Sequence, residues 1–268
     1  MNNDKKVAIV TGGSSGIGLE AVRMLIGRGW TVYNMSRREC TVKGAISVRA
    51  SVCDAEAVRS TIAQIATNEG HIDALICSAG IGIAGAVEEF SDSEVRDQFE
   101  TNFFGLDNCV RAVLPTMRAQ GHGNIIAVSS IMSVIPLPYQ TYYCATKAAV
   151  WQYCLGLQTE VEPFGINVCC VMPGDTKTGF TSQRRMAERA KSSDSPYKHE
   201  FDTVINKCAH DEEHGVSAES VATQVVKEAE AKRPHLFNVT GLEYKLYYIL
   251  RHTMPLRLAL KVIRKLYT

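Results

Sequence analysis

The turn after the first apolar run constrains this chain most. Residues 7–11, Val-Ala-Ile-Val-Thr, lead directly into Gly12-Gly13-Ser14-Ser15-Gly16-Ile17-Gly18, and residues 19–28 continue as an amphipathic helical stretch. A strand that ends in a glycine-rich turn and restarts as a helix brings bare backbone and free helix N–H groups to one point, which is how proteins hold a pyrophosphate. The spacing is Gly-x-x-x-Gly-x-Gly, and Gly12, Ser14, Ser15, Gly16, Ile17 and Gly18 are its candidate contacts. The plainer reading is a tight turn with no ligand. The commoner Gly-x-Gly-x-x-Gly spacing occurs at Gly80-Ile81-Gly82-Ile83-Ala84-Gly85. Starting the nucleotide fold there would leave three strands upstream without a purpose, so it reads as the loop after a fourth strand.

Seven short β-rich runs, at 7–11, 31–35, 45–48, 74–77, 124–128, 167–172 and 235–239, alternate with helix-length segments. That rhythm predicts an α/β fold: a single Rossmann-like, doubly wound, mainly parallel sheet of about seven strands with helices on both faces. Asp54, Ser91 (followed by Glu94) and Ser217 stand where N-caps belong. No linker or repeat divides the chain, so residues 1–241 read as one catalytic domain and 242–268 as a C-terminal extension. The polar, Ser-rich stretch 176–195 predicts a mobile segment within a lid spanning about 176–215.

The 29 Lys plus Arg balance 28 Asp plus Glu, so no global field points to nucleic acid as partner. The first apolar run is too short for a signal peptide, and no run approaches the length of a spanning helix. A cytoplasmic location is therefore expected. The nine cysteines are scattered and form no Cys-x-x-Cys pair, which predicts reduced thiols.

At the end of the second strand, where an acid would bind the ribose hydroxyl of NAD, stand Ser36-Arg37-Arg38. A hydroxyl followed by two guanidiniums suits a 2′-phosphate, so NADP(H) is favoured over NAD(H). Solvated arginines, with Glu39 serving a ribose, are the alternative.

Among ten tyrosines, only Tyr143 has a lysine four positions later, Lys147, in a segment predicted helical over 142–160. That spacing puts phenol and ammonium on one face, and a nearby cation favours phenolate, as a general acid/base requires. Ser130 ends the fifth strand and is placed to hydrogen-bond a substrate oxygen. With these residues the chain resembles the short-chain dehydrogenase/reductase family, in its single-domain branch with hydroxysteroid and ketone-reducing members, over about residues 5–240. The coenzyme loop, Ser78-Ala79-Gly80 after the fourth strand, Asn102, the Ser130, Tyr143 and Lys147 set, and Pro173-Gly174-Asp175-Thr176-Lys177-Thr178 follow in the family's order.

The resemblance implies that Tyr143 exchanges a proton, Ser130 holds the carbonyl oxygen, and Lys147 binds the nicotinamide ribose. It also implies that Asn102 holds a relay water, and that Ser78, Ala79, Gly80, Pro173, Gly174, Thr176 and Thr178 contact the coenzyme. A homodimer or homotetramer acting on a small-molecule carbonyl or alcohol is implied too. Cys77 or Ser78 stands where asparagine is frequent, Ser51 where an adenine-contacting aspartate is frequent, and Asp175 where the family is more often apolar; Asp175 is expected to reshape the substrate mouth.

Met132, Ile135, Leu137 and Tyr139 near Ser130 point to a bulky lipophilic substrate such as a hydroxysteroid, a retinoid-like molecule or an acyl chain, or else to core and subunit packing. A non-catalytic NADPH sensor and a reductase of small polar carbonyls are the rival functions. A sugar-nucleotide epimerase is disfavoured by the short tail after Gly241. His210-Asp211-Glu212-Glu213-His214 matches a zinc-peptidase pattern, but Gly215 and Ser217 follow so closely that a polar turn without metal is expected. Arg184, Arg185, Arg189 and Lys191 are expected on a solvated lid face. The tail has no acid after Glu243, and Arg251, Arg257, Lys261, Arg264 and Lys265 alternate with apolar residues at helical spacing. Packing on its own domain or a partner subunit, covering the cleft, and peripheral contact with a membrane surface remain open for it.

Overall fold

The computed structural model describes residues 5–267; the first four residues of the polar leader and Thr268 lie outside them. The strands are β1 (Val7–Thr11), β2 (Thr31–Ser36), β3 (Ile46–Arg49), β4 (Ala74–Cys77), β5 (Ile83–Ala84), β6 (Gly123–Val128), β7 (Ile166–Met172), β8 (Thr176–Lys177), β9 (Arg185–Met186), β10 (Val216–Ser217) and β11 (Phe237–Val239). The helices are α1 (Gly16–Gly27), α2 (Ala55–Glu69), α3 (Asp92–Phe99), α4 (Gly105–Gln120), α5 (Thr141–Val161), α6 (Phe180–Gln183), α7 (Lys198–His214), α8 (Ala218–Glu230), α9 (Leu242–Thr253) and α10 (Leu256–Tyr267).

Seven strands form one parallel sheet in the order β11-β7-β6-β4-β1-β2-β3. This is the doubly wound architecture the alternation predicted. All five residues of β1 are buried, as a central parallel strand covered on both faces requires. One face packs on α2, α4 and α5 through residues such as Ile62, Val113 and Leu157, and the other on α1 and α8 through Leu25 and Val225. The chain leaves β1 toward β2 on one side and later returns to β4 on the other. The gap between the loops after β1 and β4 is the topological switch point where ligands bind in such sheets.

Local chemistry explains the element ends. The Asp54 carboxylate accepts from Ala57 N at 3.0 Å, Ser91 and Glu94 form a reciprocal capping box, and the Ser217 hydroxyl accepts from Ser220 N at 3.1 Å. The seventh strand starts at Phe237 and not at 235, because the His235 N–H donates to the Glu228 carboxylate at 2.8 Å and so leaves the ladder.

Two expectations fail. His210 and His214 lie on the last turns of α7, not on a polar turn; their rings pack against each other at 4.2 Å while Glu212 turns inward. No group of residues suited to a metal occurs among the described residues. Within residues 176–195, β8 pairs with β10, β9 pairs with β5, and Ala187 and Ala190 are fully buried. Arg184, expected on a solvated face, is buried in an ion pair with Glu212. Composition hid this, because small alanines and one paired charge supply the burial that large apolar residues supply elsewhere. Arg185, by contrast, is exposed and paired with Asp97 at 3.1 Å.

The two halves of the glycine turn need their missing side chains for different reasons. Gly12 adopts φ +68°, and a Cβ on it would lie 2.9 Å from the Ala79 backbone; a Cβ on Gly18 would lie 2.6 Å from the Gly12 carbonyl oxygen. Gly18→Ala is expected to cost about 1–3 kcal/mol by overpacking against a rigid carbonyl. Urea unfolding checks this, and a stability equal to wild type would show that the turn can yield.

Candidate active site

A cleft of about 700 Å³ runs along the switch point. Its walls include Gly12, Ser14, Ser15, Gly16 and Ile17 from the first turn, Ser36, Arg37 and Arg38 from the end of β2, and Ser78, Ala79 and Gly80 after β4. The opposite end is bounded by Ser130, Tyr143 and Lys147, with Pro173, Gly174, Thr176 and Thr178 beside them. Apart from Gly18 and Asn102, every candidate residue therefore lies on one continuous wall. Gly18 is buried in packing against Gly12 and shapes the turn from behind.

The Thr11 hydroxyl holds the two loops together by accepting from Ser78 N at 3.1 Å and Ala79 N at 3.2 Å. At the basic end, Arg38 donates to the Ser15 hydroxyl at 3.2 Å, joining the first turn to the end of β2. The Ser36 hydroxyl donates to Asn34 Oδ1 at 2.6 Å, so its proton is committed and only its lone pairs face a ligand. Glu39, the alternative ribose partner, pairs with Arg49 at 3.2 Å and lies off the cleft wall. Ser51, Val52 and Cys53 line the stretch where the family more often carries an aspartate.

Tyr143 and Lys147 both project from the first turns of α5 into the cleft, and both are buried. The Lys147 ammonium donates to the Val128 carbonyl at 3.0 Å and stands 5.6 Å from the centre of the Tyr143 ring. The Ser130 hydroxyl lies close enough to the Tyr143 phenol to favour its ionised form, and it accepts from Met132 N at 3.1 Å. Three polar groups from two elements thus converge on one spot, reached from the far end of the sheet by the same cleft.

Burial dominates their titration. It pushes the Tyr143 phenol well above its ordinary value, with the Glu212 carboxylate adding to the rise and Ser130 and Arg184 opposing it. Burial also pulls the Lys147 ammonium down to about 8. The expectation that the lysine alone would bring the phenol toward working pH thus meets an opposing effect: a face buried enough to hold both groups penalises both charges.

Asn102 sits in a π-helical turn, Glu100–Phe104, between α3 and α4, a distortion that often marks functional sites. Its Oδ1 accepts from Ile81 N at 2.8 Å, and its Nδ2 donates to Ile81 O at 2.9 Å and to Thr146 Oγ1 at 3.1 Å. The amide is thus engaged in clamping the loop after β4 to α5, and a relay water would have to meet its main chain.

Sequence reasoning missed several wall residues. Phe180 packs on Tyr143 with ring centroids 5.7 Å apart. Gln140 is buried on the wall. Glu212 reaches the cleft wall while holding Arg184 and the Thr181 hydroxyl. Asp175, expected to reshape the mouth, also accepts from the Tyr244 hydroxyl at 2.6 Å and so joins α9 to the Pro-Gly segment. Only the isolated zinc-like pattern around Glu212 carried a signal, and it pointed to the wrong chemistry. Of the four apolar residues read as a substrate wall, only Met132 lines this cleft. Ile135 packs on the core, and Leu137 and Tyr139 line a separate cavity near α10.

A doubly wound sheet with a glycine-cradled cleft and a Ser, Tyr and Lys cluster at one end defines a nucleotide-dependent enzyme class. The chain belongs to the short-chain dehydrogenase family, whose pattern it matches over residues 6–189. Members are oxidoreductases that use nicotinamide cofactors and act on small molecules. It is 37% identical over 230 residues to a 3-ketodihydrosphingosine reductase of Bacteroides thetaiotaomicron, covering 85% of each chain. It is 28% identical to retinol dehydrogenase 8 of Bos taurus, covering 91% of this chain and 84% of that one. Among solved structures, a short-chain dehydrogenase from Streptomyces avermitilis superposes with a TM-score of 0.83 at 28% identity, covering 99% and 98% of the two chains.

Burial of Lys147 sets a pH-dependent cost. Below about pH 8 the folded and unfolded chains both carry the charge and the folded one bears the full penalty; above the ordinary value of 10.5 neither is charged and the penalty is gone. The stability of Lys147→Met relative to wild type should therefore be highest below pH 8 and decline by about 3 kcal/mol toward pH 10.5. Thermal or urea unfolding across that range checks it; a gap that stays constant with pH would mean the ammonium is solvated.

Proposed function

We propose that this protein is an NADP(H)-dependent oxidoreductase that interconverts a ketone and a secondary alcohol, with Tyr143 as general acid/base. The observation that carries the reading is the convergence of Ser130, Tyr143 and Lys147 at one end of a cleft whose other end is Arg37 and Arg38. The wall residues fit a dinucleotide: Gly12 and Gly16 hold positive-φ backbone conformations that leave the turn free of side chains where a pyrophosphate would lie. When bound, the nicotinamide supplies or accepts the hydride.

In the reducing direction, Ser130 orients the carbonyl oxygen and Tyr143 donates its proton to that oxygen as it gains negative charge; in oxidation both steps reverse. Lys147 supports the phenolate electrostatically and holds the nicotinamide ribose, while Asn102 keeps the loop after β4 in register with α5. Ser78, Ala79, Pro173, Gly174, Thr176 and Thr178 line the coenzyme's path. At the 2′-phosphate, recognition falls to Arg37 and Arg38, because the Ser36 proton is directed to Asn34 and Glu39 is turned to Arg49.

A raised phenol keeps Tyr143 protonated through neutral pH, which suits reduction. Raising the pH toward the phenol's value should depress ketone reduction and favour alcohol oxidation. We assign residues 1–241 as the catalytic unit and 176–215 as its substrate lid, in a cytoplasmic homodimer or homotetramer. For the substrate we favour a bulky lipophilic ketone or alcohol of long-chain or hydroxysteroid type. Ile81, Met132 and Phe180 on the wall support this, as do the long-chain and retinoid substrates named by two relatives.

Tyr143→Phe should cut turnover by about 10²–10⁴-fold while leaving NADPH binding within a few-fold. NADPH oxidation against steroid, long-chain, quinone and sugar ketones, beside coenzyme fluorescence titration, reads both; wild-type turnover in the variant, or no turnover with any carbonyl, sinks the mechanism. Arg37→Ala/Arg38→Ala should raise KM for NADPH by about 10–100-fold and leave NADH nearly unchanged. An equal effect on both coenzymes would remove the 2′-phosphate reading.

A further inference from the structure

Helix α9 has two opposed faces. Tyr244, Tyr248 and Arg251, at i, i+4 and i+7, face the body: Tyr244 bonds Asp175, Tyr248 stacks on Phe237 at 5.2 Å, and Arg251 donates to the Val134 carbonyl at 3.1 Å. Leu242, Leu246, Ile249 and Leu250 repeat the same helical spacing on the opposite side. They are 86%, 53%, 56% and 40% exposed. An amphipathic helix whose polar anchors point inward and whose leucines point outward is inverted relative to an ordinary surface helix.

Helix α10 adds charge to this pattern. It is seated on the body by buried Ala259 and by Tyr267 near Lys207, while Leu258, Val262 and Leu266 form a second exposed apolar row. Arg257, Lys261 and Lys265, again at i, i+4 and i+8, form an exposed basic row beside it. No acid follows Glu243 in the sequence.

We propose that the α9–α10 end of the chain docks peripherally on an anionic phospholipid surface, with the leucine rows entering the acyl boundary and the basic row meeting the headgroup phosphates. Exposed leucines alone would serve any apolar partner; an acid-free basic row alongside them selects a negatively charged one. A second copy of this chain fits less well. A two-fold contact through this surface sets the patch against itself, and the basic row would then approach its own copy. Nor do these helices span a bilayer: each has 12 residues, and no helix of the described residues is long and apolar enough to cross a membrane.

The test needs neither coenzyme nor substrate, so its outcome is separate from that of the catalytic reading. Co-sedimentation of the full-length protein should show at least about tenfold stronger binding to vesicles of equal parts phosphatidylcholine and phosphatidylglycerol than to phosphatidylcholine alone, weakening steeply with salt. Arg257→Glu/Lys261→Glu/Lys265→Glu should lower that binding by about tenfold or more. Leu246→Ser/Ile249→Ser should lower it comparably without changing charge, and both variants should melt like wild type. Failure of the wild type to pellet with the anionic vesicles, or wild-type binding by the leucine variant, overturns the proposal. So does conversion of a stable oligomer to monomer by Leu246→Ser/Ile249→Ser in sedimentation velocity, which would assign the face to a second copy.

Discussion

The site depends first on how closely two loops approach. Thr11 is the last residue of the central strand, and its hydroxyl accepts both N–H groups that open the loop after β4, while Gly12 lies against Ala79 with no room for a side chain. Parallel strands alone would leave a crevice at the switch point, but not one of fixed width. The hydroxyl and the bare Cα set that width, and Asn102 extends the same constraint by accepting from the Ile81 N–H and donating to the Ile81 carbonyl and the Thr146 hydroxyl. Through Thr146 that grip reaches α5 between Tyr143 and Lys147.

The second theme is the tension between burial and charge. A dry site strengthens each dipole aimed at a reacting oxygen, yet the same dryness raises the Tyr143 phenol and lowers the Lys147 ammonium. Below about pH 8, where the ammonium keeps its charge, stability would favour an apolar residue at Lys147, whereas the protonated Tyr143 phenol carries no charge to bury. The Glu212 and Arg184 pair sealed under the wall is a second place where charge is held out of water.

Much of the fold was legible because local signals and global order agree. Strand positions followed from apolar runs, and the caps at Asp54, Ser91 and Ser217 from side chains whose oxygens reach back to free N–H groups. The Tyr143 and Lys147 pairing was legible because four residues make one turn of helix. Less legible was whatever depends on tertiary partners. Nothing local marks Arg184 for burial, since its partner lies on another helix. Nothing local tells Leu137 and Tyr139 to turn toward α10, away from the cleft. The π-turn at Asn102 is a register defect within an otherwise helical run and has no compositional signature.

One short bond has a mechanical meaning. The Tyr244 phenol donates to Asp175, directly after the glycine whose missing side chain makes room for the Tyr244 ring. The next residues, Thr176 and Lys177, form the small ladder with β10 that leads into α8. This phenol–carboxylate pin ties the C-terminal helices to the Pro-Gly segment of the cleft wall, beside the anchors that Tyr248 and Arg251 make on the body.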